Sequence, residues 1–465
     1  MSRPLPTSAL HLLHDQAARR GDRPALWSRR GGYFTPTSWR EYAARVRHFA
    51  LGLSRLGFGR GDCLCVLSSS REEWVVAELA AMALGGVPVG LSATWSPERL
   101  AHIVRHSQAR IAIAADGAAL QRLRELGPRA PDLRTLVVMD PPSPEGALSF
   151  AEVLQSGMGR DEGPYWEPAR ALRPDQPGAL VYTSGTTGPP RGVVLGHGNL
   201  AWTSRTLTEM WRVEEGEILL SYQSPSHIAE RLASIHCALA GGVQVYFAGS
   251  LESLEDDLRA VRPTVFFGVP RVYRELRARA ADHLQELSGT RAAAARWARE
   301  VALRRNRLAL AGERVPVALE AQYQVARRTA LAPIRECIGL DRARLLVTSA
   351  APAGLDVLEF FASLDLILHE VYGQVEATGP TSGSTPQAIR LGAPGRPLPG
   401  VEVKIAPDGE ILVRGPNVCL GYHREPEATA ALLKDGWLHS SDLGRLDPDG
   451  YLHVRGRKPA PAAAG

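Results

Sequence analysis

The sequence predicts an α/β fold with two sheet-and-helix layered subdomains and a small β subdomain after them. Short apolar runs alternate with amphipathic stretches through the first 140 residues, and the same alternation resumes near residue 179. From residue 392, short strands are punctuated by glycine and proline. Strands that alternate with helices form mainly parallel sheets with helices on their faces. The two alternating series therefore predict two such layers, and the last segment predicts the β subdomain.

The first series begins with the apolar run CLCVLSS at 63–69. The pattern REEWVVAELAAMALGG follows as a helix that Gly85 and Gly86 end, and VPVGL gives the next strand. SPERLAHIVRHSQ predicts a helix with Ser96 as its N-cap and Pro97 at its first position. IAIAAD, a short helix and TLVVMD continue the alternation.

The second series runs from ALVYTSG at 179–185 through ILLSYQ, the helix HIAERLASIHCALAGG, VQVYFA and TVFFGV. Residues 274–340 interrupt it with a long segment rich in alanine and arginine, which predicts a helical hairpin that breaks between Gly312 and Pro316. We therefore expect a large domain over 1–391 with a helical insertion at about 274–340, and a small β subdomain of the same domain over 392–457. The tail at 458–465 is of low complexity.

Composition excludes several classes of protein. Apolar residues make up 45% of the 465 residues and charged residues 22%, which argues against disorder and coiled coil. The net charge of +5 is weak for this length and does not predict a nucleic-acid partner. Lysine occurs only at 404, 434 and 458, so an arginine at a position where lysine is usual is weak evidence of altered chemistry. The basic helices at 274–340 fit either a solvated surface or a peripheral contact with an anionic membrane.

The N-terminal residues contain no apolar stretch long enough for a signal peptide, and no window approaches the roughly 20 apolar residues of a membrane span. The five cysteines are odd in number and sparse, and Cys63 and Cys65 lie in an apolar run typical of a buried strand. Neither a disulfide nor a zinc site is expected. We predict a cytoplasmic protein.

The most informative segment is VYTSGTTGPPRGVVL at 181–195. It follows a predicted strand and gathers hydroxyls, glycines and prolines around one basic residue, Arg191. Glycines allow close backbone approach to phosphate, while amides, hydroxyls and a guanidinium bind its oxygens. An ordinary turn would explain two or three of these residues but not the whole run. Because position 190 is proline, the segment does not fit G-x-x-x-x-G-K-[ST], and no G-x-G-x-x-G follows a strand.

The segment resembles the phosphate-binding loop YTSGTTGxPKG of the adenylate-forming superfamily, which includes acyl-CoA synthetases, luciferases and peptide-synthetase adenylation domains. Further motifs follow in that superfamily's order, so the resemblance covers nearly the whole chain. They are SPSHIAER (224–231), TSAAPAGL (348–355), HEVYGQVEATG (369–379), GEILVRGPNVCLGY (409–422) and WLHSSDLGRLDPDGYLHVRGR (437–457). The resemblance implies the large domain of an adenylate-forming enzyme that uses ATP and Mg²⁺.

The resemblance also implies a role for individual residues. The outer phosphates of ATP would be held by Thr183, Ser184, Gly185, Thr186, Thr187, Gly188 and Arg191. The adenine would lie against Ala350, Ala351, Pro352, Tyr372 and Gly373, and the ribose would bind Asp442 assisted by Arg457. Glu376 would bind Mg²⁺, and Arg191, Glu376 and His227 are the predicted catalytic residues. Taken singly, Glu376 is equally well a surface carboxylate and Asp442 a turn residue.

Three positions depart from the superfamily pattern. Arg191 stands where lysine is usual, which keeps the charge but changes the geometry. Val375 replaces a threonine or serine whose hydroxyl meets the α-phosphate, and losing one hydrogen bond to a charged oxygen costs about 1.5–3 kcal/mol. Ser441 stands where glycine is usual.

The acyl pocket is predicted from two segments. SPSHIAER has no aspartate that could hold an amino group, so the acid is not an amino acid, and His227 is placed beside the acyl carboxylate. Phe267, Gly268 and Val269 precede RVYREL, a stretch similar to that of long-chain fatty acyl-CoA synthetases of the bubblegum type. A buried histidine at 227 and a core strand at 266–270 are the structural alternatives. We predict a long-chain fatty acid–CoA ligase with fatty acid, ATP and CoA as substrates.

Two other functions stay open: an acyl-AMP ligase that loads a carrier protein, and a catalytically weak nucleotide- and lipid-binding protein. Superfamily members continue through a hinge into a mobile C-terminal domain that supplies a catalytic lysine. Pro459 occupies the hinge position and the sequence ends at Gly465. The resemblance implies that residues 458–465 are a hinge remnant and that this chain alone is weakly active. A chain extension or a separate polypeptide would then supply the domain.

Overall fold

The computed structural model describes residues 8–183 and 189–458. The strands in chain order are β1 (Pro24–Arg30), β2 (Tyr33–Ser38), β3 (Cys63–Leu67), β4 (Val87–Leu91), β5 (Ile111–Ala114), β6 (Thr135–Val138), β7 (Leu148–Ser149), β8 (Pro177–Thr183), β9 (Arg191–Gly196), β10 (Ile218–Ser221), β11 (Gln244–Phe247), β12 (Val265–Gly268), β13 (Leu345–Thr348), β14 (Leu368–Gln374), β15 (Gly379–Gly383), β16 (Arg396–Pro397), β17 (Glu402–Ile405), β18 (Glu410–Arg414), β19 (Gly421–Tyr422), β20 (Leu433–Lys434), β21 (Trp437–Leu446) and β22 (Leu452–Arg457).

The α-helices are α1 (Ala9–Arg20), α2 (Trp39–Arg55), α3 (Glu72–Ala83), α4 (Pro97–Ser107), α5 (Gly117–Arg124), α6 (Phe150–Ser156), α7 (Gly163–Arg170), α8 (His197–Met210), α9 (Ile228–Arg231), α10 (Ala238–Gly241), α11 (Leu254–Val261), α12 (Pro270–Glu286), α13 (Gly289–Leu310), α14 (Val317–Arg328), α15 (Leu331–Cys337), α16 (Leu355–Ser363) and α17 (Pro426–Leu432). A π-helix, Leu232–Cys237, joins α9 to α10, and 3₁₀ turns lie at Gly127–Arg129 and Val375–Ala377.

The described strands form three sheets. An eight-stranded sheet has the order β19-β9-β8-β4-β3-β5-β6-β7, and a nine-stranded sheet has the order β16-β15-β14-β13-β12-β10-β11-β1-β2. Their central strands pair in parallel, whereas β8 and β9 form an antiparallel hairpin. The third sheet has the order β17-β18-β21-β20, with β22 paired to β21. The two layered α/β sheets and the small antiparallel sheet confirm the predicted fold class.

Helix α3 lies in the largest apolar core, together with residues of both large sheets. Eleven of its twelve residues are buried, which is the pattern of a helix surrounded by protein on all sides. Its buried Glu78 carboxylate lies 3.4 Å from Arg231 Nε of α9 and 3.2 Å from His236 Nε2 of the π-helix. This buried cluster ties α3, from the first series of elements, to the segment that carries the predicted acyl motif.

Local signals predicted several boundaries correctly. Ser96 caps α4 by accepting a hydrogen bond from the backbone N–H of Arg99, and Pro97 is its first residue. The insertion is helical as predicted, with α13 ending at Leu310 and α14 beginning at Val317. The segment 392–457 is more mixed than a single β subdomain, because β16 joins the nine-stranded sheet and β19 pairs with β9 in the eight-stranded sheet.

All five cysteines carry free thiols. Among the described helices, none combines the length and the apolar character that crossing a membrane requires.

Candidate active site

A cavity of about 780 Å³ opens where the ends of β8, β12, β13 and β14 meet the small sheet. It contains both the predicted nucleotide residues and the predicted acyl residues. The residues predicted from the sequence that line it are Thr183, Arg191, His227, Phe267, Val269, Ala350, Gly373, Glu376 and Arg457. Ser184, Gly185, Thr186, Thr187 and Gly188 lie outside the described residues. The structure therefore brings residues far apart in sequence into one site.

The hairpin of β8 and β9 presents the two ends of the predicted phosphate loop. Thr183 and Arg191 face each other as the last register pair of this hairpin. Helix α4 supports the hairpin at two points, since His102 Nε2 donates to the Pro190 carbonyl at 3.1 Å and His106 Nδ1 shares a 2.8 Å hydrogen bond with the Tyr182 hydroxyl. The sequence did not indicate these two histidines, because their partners lie about 80 residues away.

Arg191 and Glu376 are linked through a tyrosine that the sequence analysis did not single out. The Arg191 guanidinium lies 5.4 Å from the ring centroid of Tyr422, and its Nε is 3.3 Å from a carboxylate oxygen of Glu425. The Tyr422 hydroxyl donates to Glu376 Oε1 at 2.9 Å. Burial and, next, the charge of Glu376 raise the pKa of Tyr422. Tyr422 is the last residue of the motif GEILVRGPNVCLGY, and this motif was the sequence signal that could have identified it as a site residue.

Glu376 lies in the 3₁₀ turn Val375–Ala377, directly after β14. Its backbone carbonyl accepts a hydrogen bond from Cys419 N at 2.8 Å, which anchors the turn. The described residues hold no group of three or more potential metal ligands. Mg²⁺ typically binds through one or two carboxylates together with substrate phosphates, so a single carboxylate beside a phosphate loop fits this ion.

The small sheet delivers Asp442 to the edge of the cavity. Its buried carboxylate accepts a hydrogen bond from the Tyr372 hydroxyl at 2.7 Å through Oδ2, and Arg457 Nε lies 3.2 Å from Oδ1. Asp442 and Arg457 are register partners across β21 and β22. Burial first, and then Asp442, raise the pKa of Tyr372. One hydrogen bond thus joins Asp442, predicted to bind ribose, to Tyr372, predicted to lie against adenine.

Two residues in the part of the cavity where the sequence predicts nucleotide binding have left-handed backbone conformations. Ser441 has φ 60° and Ala350 has φ 75°. A left-handed conformation costs a residue with a Cβ about 1–2 kcal/mol, which explains why glycine is usual at the position of Ser441. Such conformations cluster at ligand sites. Ala351, Pro352, Tyr372 and Asp442 stand next to the cavity rather than in its lining.

His227 directly precedes α9 and lines the cavity. Its ring is exposed to the cavity space, yet the surrounding protein and then the positive charge of Arg99 lower its pKa. The imidazole is therefore neutral near pH 7 and can donate one hydrogen bond to a carboxylate oxygen. The structural alternative for His227, a buried histidine, does not apply, because the side chain is exposed.

The cavity extends from His227 into an apolar arm between the nine-stranded sheet and three helices, which are α8, the π-helix and α10. The sheet contributes Leu219, Val265, Phe267, Leu345, Val347 and Val371, and the helical side contributes Leu207, Thr208, Trp211, Leu232, Ala233, Cys237 and Ala238. The π-helix supplies three of the latter, and π-turns inside helices are frequent at functional sites. Gly268 is not in the lining: a Cβ there would lie 2.7 Å from the Tyr273 ring, so its role is packing.

A known family described as AMP-binding enzyme matches residues 13–423. The chain belongs to this family. It is 33% identical over 470 residues to a long-chain-fatty-acid–CoA ligase, ACSBG2, of Gallus gallus, and the match covers 97% of this chain and 61% of the relative. It is 31% identical to ACSBG1 of Bos taurus, also a long-chain-fatty-acid–CoA ligase, over 94% of this chain and 62% of the relative. The chain thus spans about three fifths of the length of these relatives.

Solved structures share the fold of this chain. The inhibitor-bound N-terminal domain of FACL13 from Mycobacterium tuberculosis superposes with a TM-score of 0.75 at 18% identity, over 97% of this chain and 99% of that domain. ATP-bound MatB from Rhodopseudomonas palustris superposes with a TM-score of 0.74 at 24% identity, over 97% of this chain and 78% of the other. The superfamily assignment made from the motifs is confirmed.

Proposed function

We propose that this AMP-binding protein activates a long-chain fatty acid with ATP to acyl-AMP and then transfers the acyl group to CoA. The observation that carries the proposal is the continuity of one cavity, in which Thr183, Arg191 and Glu376 share a space with an apolar arm. A nucleotide in one part and an acid in the other would meet beside His227. The long-chain-fatty-acid–CoA ligases among its relatives support the same reaction.

The dimensions of the arm favour a long apolar chain. Val265 and Val269 both line the cavity and are four residues apart along β12 and the residue that follows it, which corresponds to about 13 Å at roughly 3.3 Å per residue. An extended chain of roughly ten carbon atoms, with C–C bonds of about 1.5 Å, has this length. Each methylene buried there contributes up to about 0.8 kcal/mol.

In the proposed first step, a carboxylate oxygen of the acid forms a bond to the α-phosphorus of ATP. The bond from that phosphorus to the bridging β-phosphate oxygen breaks, and pyrophosphate leaves with the electron pair. Neutral His227 donates a hydrogen bond to the carboxylate and orients it. Arg191 and Thr183 bind the outer phosphates, and bound Mg²⁺ at Glu376 would neutralise part of their charge.

In the second step the thiolate of CoA attacks the acyl carbon, and AMP leaves with the electrons of the C–O bond. Asp442 and Arg457 hold the ribose of ATP and AMP alike, and Tyr372 fixes the orientation of the Asp442 carboxylate. Val375 lines the cavity where a hydroxyl would meet the α-phosphate, which lowers binding or rate without abolishing them.

The finer parts of the proposal concern the domain division, the activity of this polypeptide and its location. We propose that residues 1–391 and 392–457 are parts of one large domain. The five free thiols are consistent with a location in the reducing cytoplasm. The arginine-rich helices would allow peripheral membrane contact. If the catalytic lysine is supplied from outside residues 1–465, this polypeptide forms acyl-adenylate slowly, because loss of one preorganised donor costs about 10²–10³ in rate.

Three measurements on residues 1–465 test the proposal. Competition binding with acids from C4 to C18 is expected to show affinity rising with chain length, and hydroxylamine is expected to trap acyl-adenylate in an acid- and ATP-dependent way. Thiol consumption with CoA or with a carrier protein separates the ligase from an acyl-AMP ligase. Flat affinity across the acid series would rule out the fatty acid. Binding of ATP and acid without any hydroxamate would favour the catalytically weak binding protein, which Val375 supports.

A further inference from the structure

Arg99 is a cavity residue that the superfamily motifs do not include. It lies in the first turn of α4, and its guanidinium carbon is 4.3 Å from the centroid of the Trp95 ring. Both side chains line the cavity. The stacked arrangement holds the guanidinium in one plane before any ligand binds. Its Nε atom is buried and has no hydrogen-bond partner in the part of the chain that the structure describes.

Arg99 differs from the other arginines that line the cavity in the described residues, because no carboxylate forms an ion pair with it. Arg191 lies 3.3 Å from Glu425 and Arg457 lies 3.2 Å from Asp442. Among the ion pairs of residues 8–183 and 189–458, none includes Arg99. Burial lowers the pKa of its guanidinium, and no nearby acid opposes that shift. Arg99 is partly buried, and a cavity guanidinium that has no carboxylate partner among the described residues is available to bind an anionic ligand.

The position of α4 indicates which anion is favoured. Arg99 precedes His102 by three residues, and residues at this spacing share one face of a helix. That face contacts the β8–β9 hairpin, through the bonds from His102 to the Pro190 carbonyl and from His106 to the Tyr182 hydroxyl. The cation therefore lies on the face that supports the proposed phosphate site. A carboxylate beside His227 is the competing anion, because the charge of Arg99 also acts on His227.

We propose that Arg99, stacked on Trp95, binds the outer phosphate oxygens of ATP and the pyrophosphate that leaves, together with Arg191. A guanidinium offers a fork of donors that matches two phosphate oxygens, so the contact strengthens as charge builds on the leaving pyrophosphate. This inference rests on the proposed function, since it takes ATP as the nucleotide. It adds a binding residue from α4, outside all six motifs.

Calorimetry on the 465-residue polypeptide tests this role with three variants. Arg99→Ala removes the charge, and Arg99→Lys keeps the charge without the fork. Arg105→Ala is the matched control, because Arg105 is an exposed arginine on the same helix that does not line the cavity. The probes are MgATP, AMP, inorganic pyrophosphate and dodecanoate, and thermal unfolding of each variant verifies that it is folded.

We expect Arg99→Ala to weaken MgATP and pyrophosphate about tenfold or more, with AMP and dodecanoate changed less than about twofold. Arg99→Lys should retain part of the affinity, and Arg105→Ala should match the wild type. A loss confined to dodecanoate would assign Arg99 to the acid and overturn the phosphate contact. Equal affinities for all four probes in Arg99→Ala and wild type would also overturn it. If the wild-type protein does not bind MgATP, the proposed function is wrong, and this result is distinct from a wild type that binds MgATP and an Arg99→Ala variant that binds it equally well.

Discussion

The Tyr422 hydroxyl donates a hydrogen bond of 2.9 Å to Glu376, the residue proposed to bind Mg²⁺. The same ring lies under the Arg191 guanidinium. Tyr422 belongs to β19, the short strand that pairs with β9 of the eight-stranded sheet. One side chain from the C-terminal segment thereby connects the proposed phosphate cation to the proposed metal ligand.

Tyr422→Phe is expected to weaken MgATP binding about threefold to tenfold, because Glu376 loses the hydrogen bond that orients it while the ring under Arg191 remains. AMP binding should not change, since AMP has no outer phosphates. Titration calorimetry with both ligands measures this. Unchanged MgATP affinity would show that the hydrogen bond does not orient the metal ligand.

Asp442→Ala and Arg191→Ala are expected to differ in the ligands that they affect. Asp442→Ala should weaken ATP and AMP by similar factors, because both contain the ribose. Arg191→Ala should weaken ATP much more than AMP, because it is proposed to bind the outer phosphates. The ratio of ATP to AMP dissociation constants is the readout, and an equal ratio in both variants would remove the phosphate assignment of Arg191.

Ala233→Leu is expected to shorten the apolar arm. If the larger side chain displaces two methylenes of the acid, hexadecanoate binding falls by about 1.6 kcal/mol, or about 15-fold, while butanoate is unaffected. Ala240→Leu is the matched control, since Ala240 is also partly buried against the core but does not line the cavity. Equal effects of the two variants on hexadecanoate would place the acyl chain elsewhere.

Glu230 is expected to make folding stability pH-dependent. It is buried and accepts a hydrogen bond from the Ser221 hydroxyl at 2.5 Å, and burial raises its pKa to about 7. The folded state binds the proton more tightly than the unfolded state, so stability is present at low pH and falls as pH rises from about 4.5 through 7. The loss reaches about 3 kcal/mol at pH 8, at 1.36 kcal/mol per pKa unit.

Glu230→Gln should remove this slope, as measured by urea unfolding from pH 5 to 8. Glu214→Gln is the control, because Glu214 is exposed. A slope in Glu230→Gln as steep as that of the wild type would contradict the assignment.

The sequence predicted what short-range signals and motifs encode. Ser96 and Pro97 fix the start of α4 because a cap acts within one turn, and the six motifs located the nucleotide residues. Trp211 was missed because only long-range packing brings it to the cavity, and Tyr422 was missed although it ends one of the six motifs. The run HIAERLASIHCALAGG was read as one helix. Its residues have ordinary helical propensities, so nothing in the sequence indicated the π-helix, in which Ala233 and Cys237 line the apolar arm.

The central claim is that one cavity holds adenosine and a long acyl chain at the same time. Its most direct test is the affinity of residues 1–465 for a dodecanoyl sulfamoyl-adenosine, a stable analogue of acyl-AMP, compared with the acetyl analogue. The account predicts that the dodecanoyl compound binds at least about 100-fold more tightly, because its additional methylenes are buried in the arm. Equal affinity of the two analogues would contradict the account.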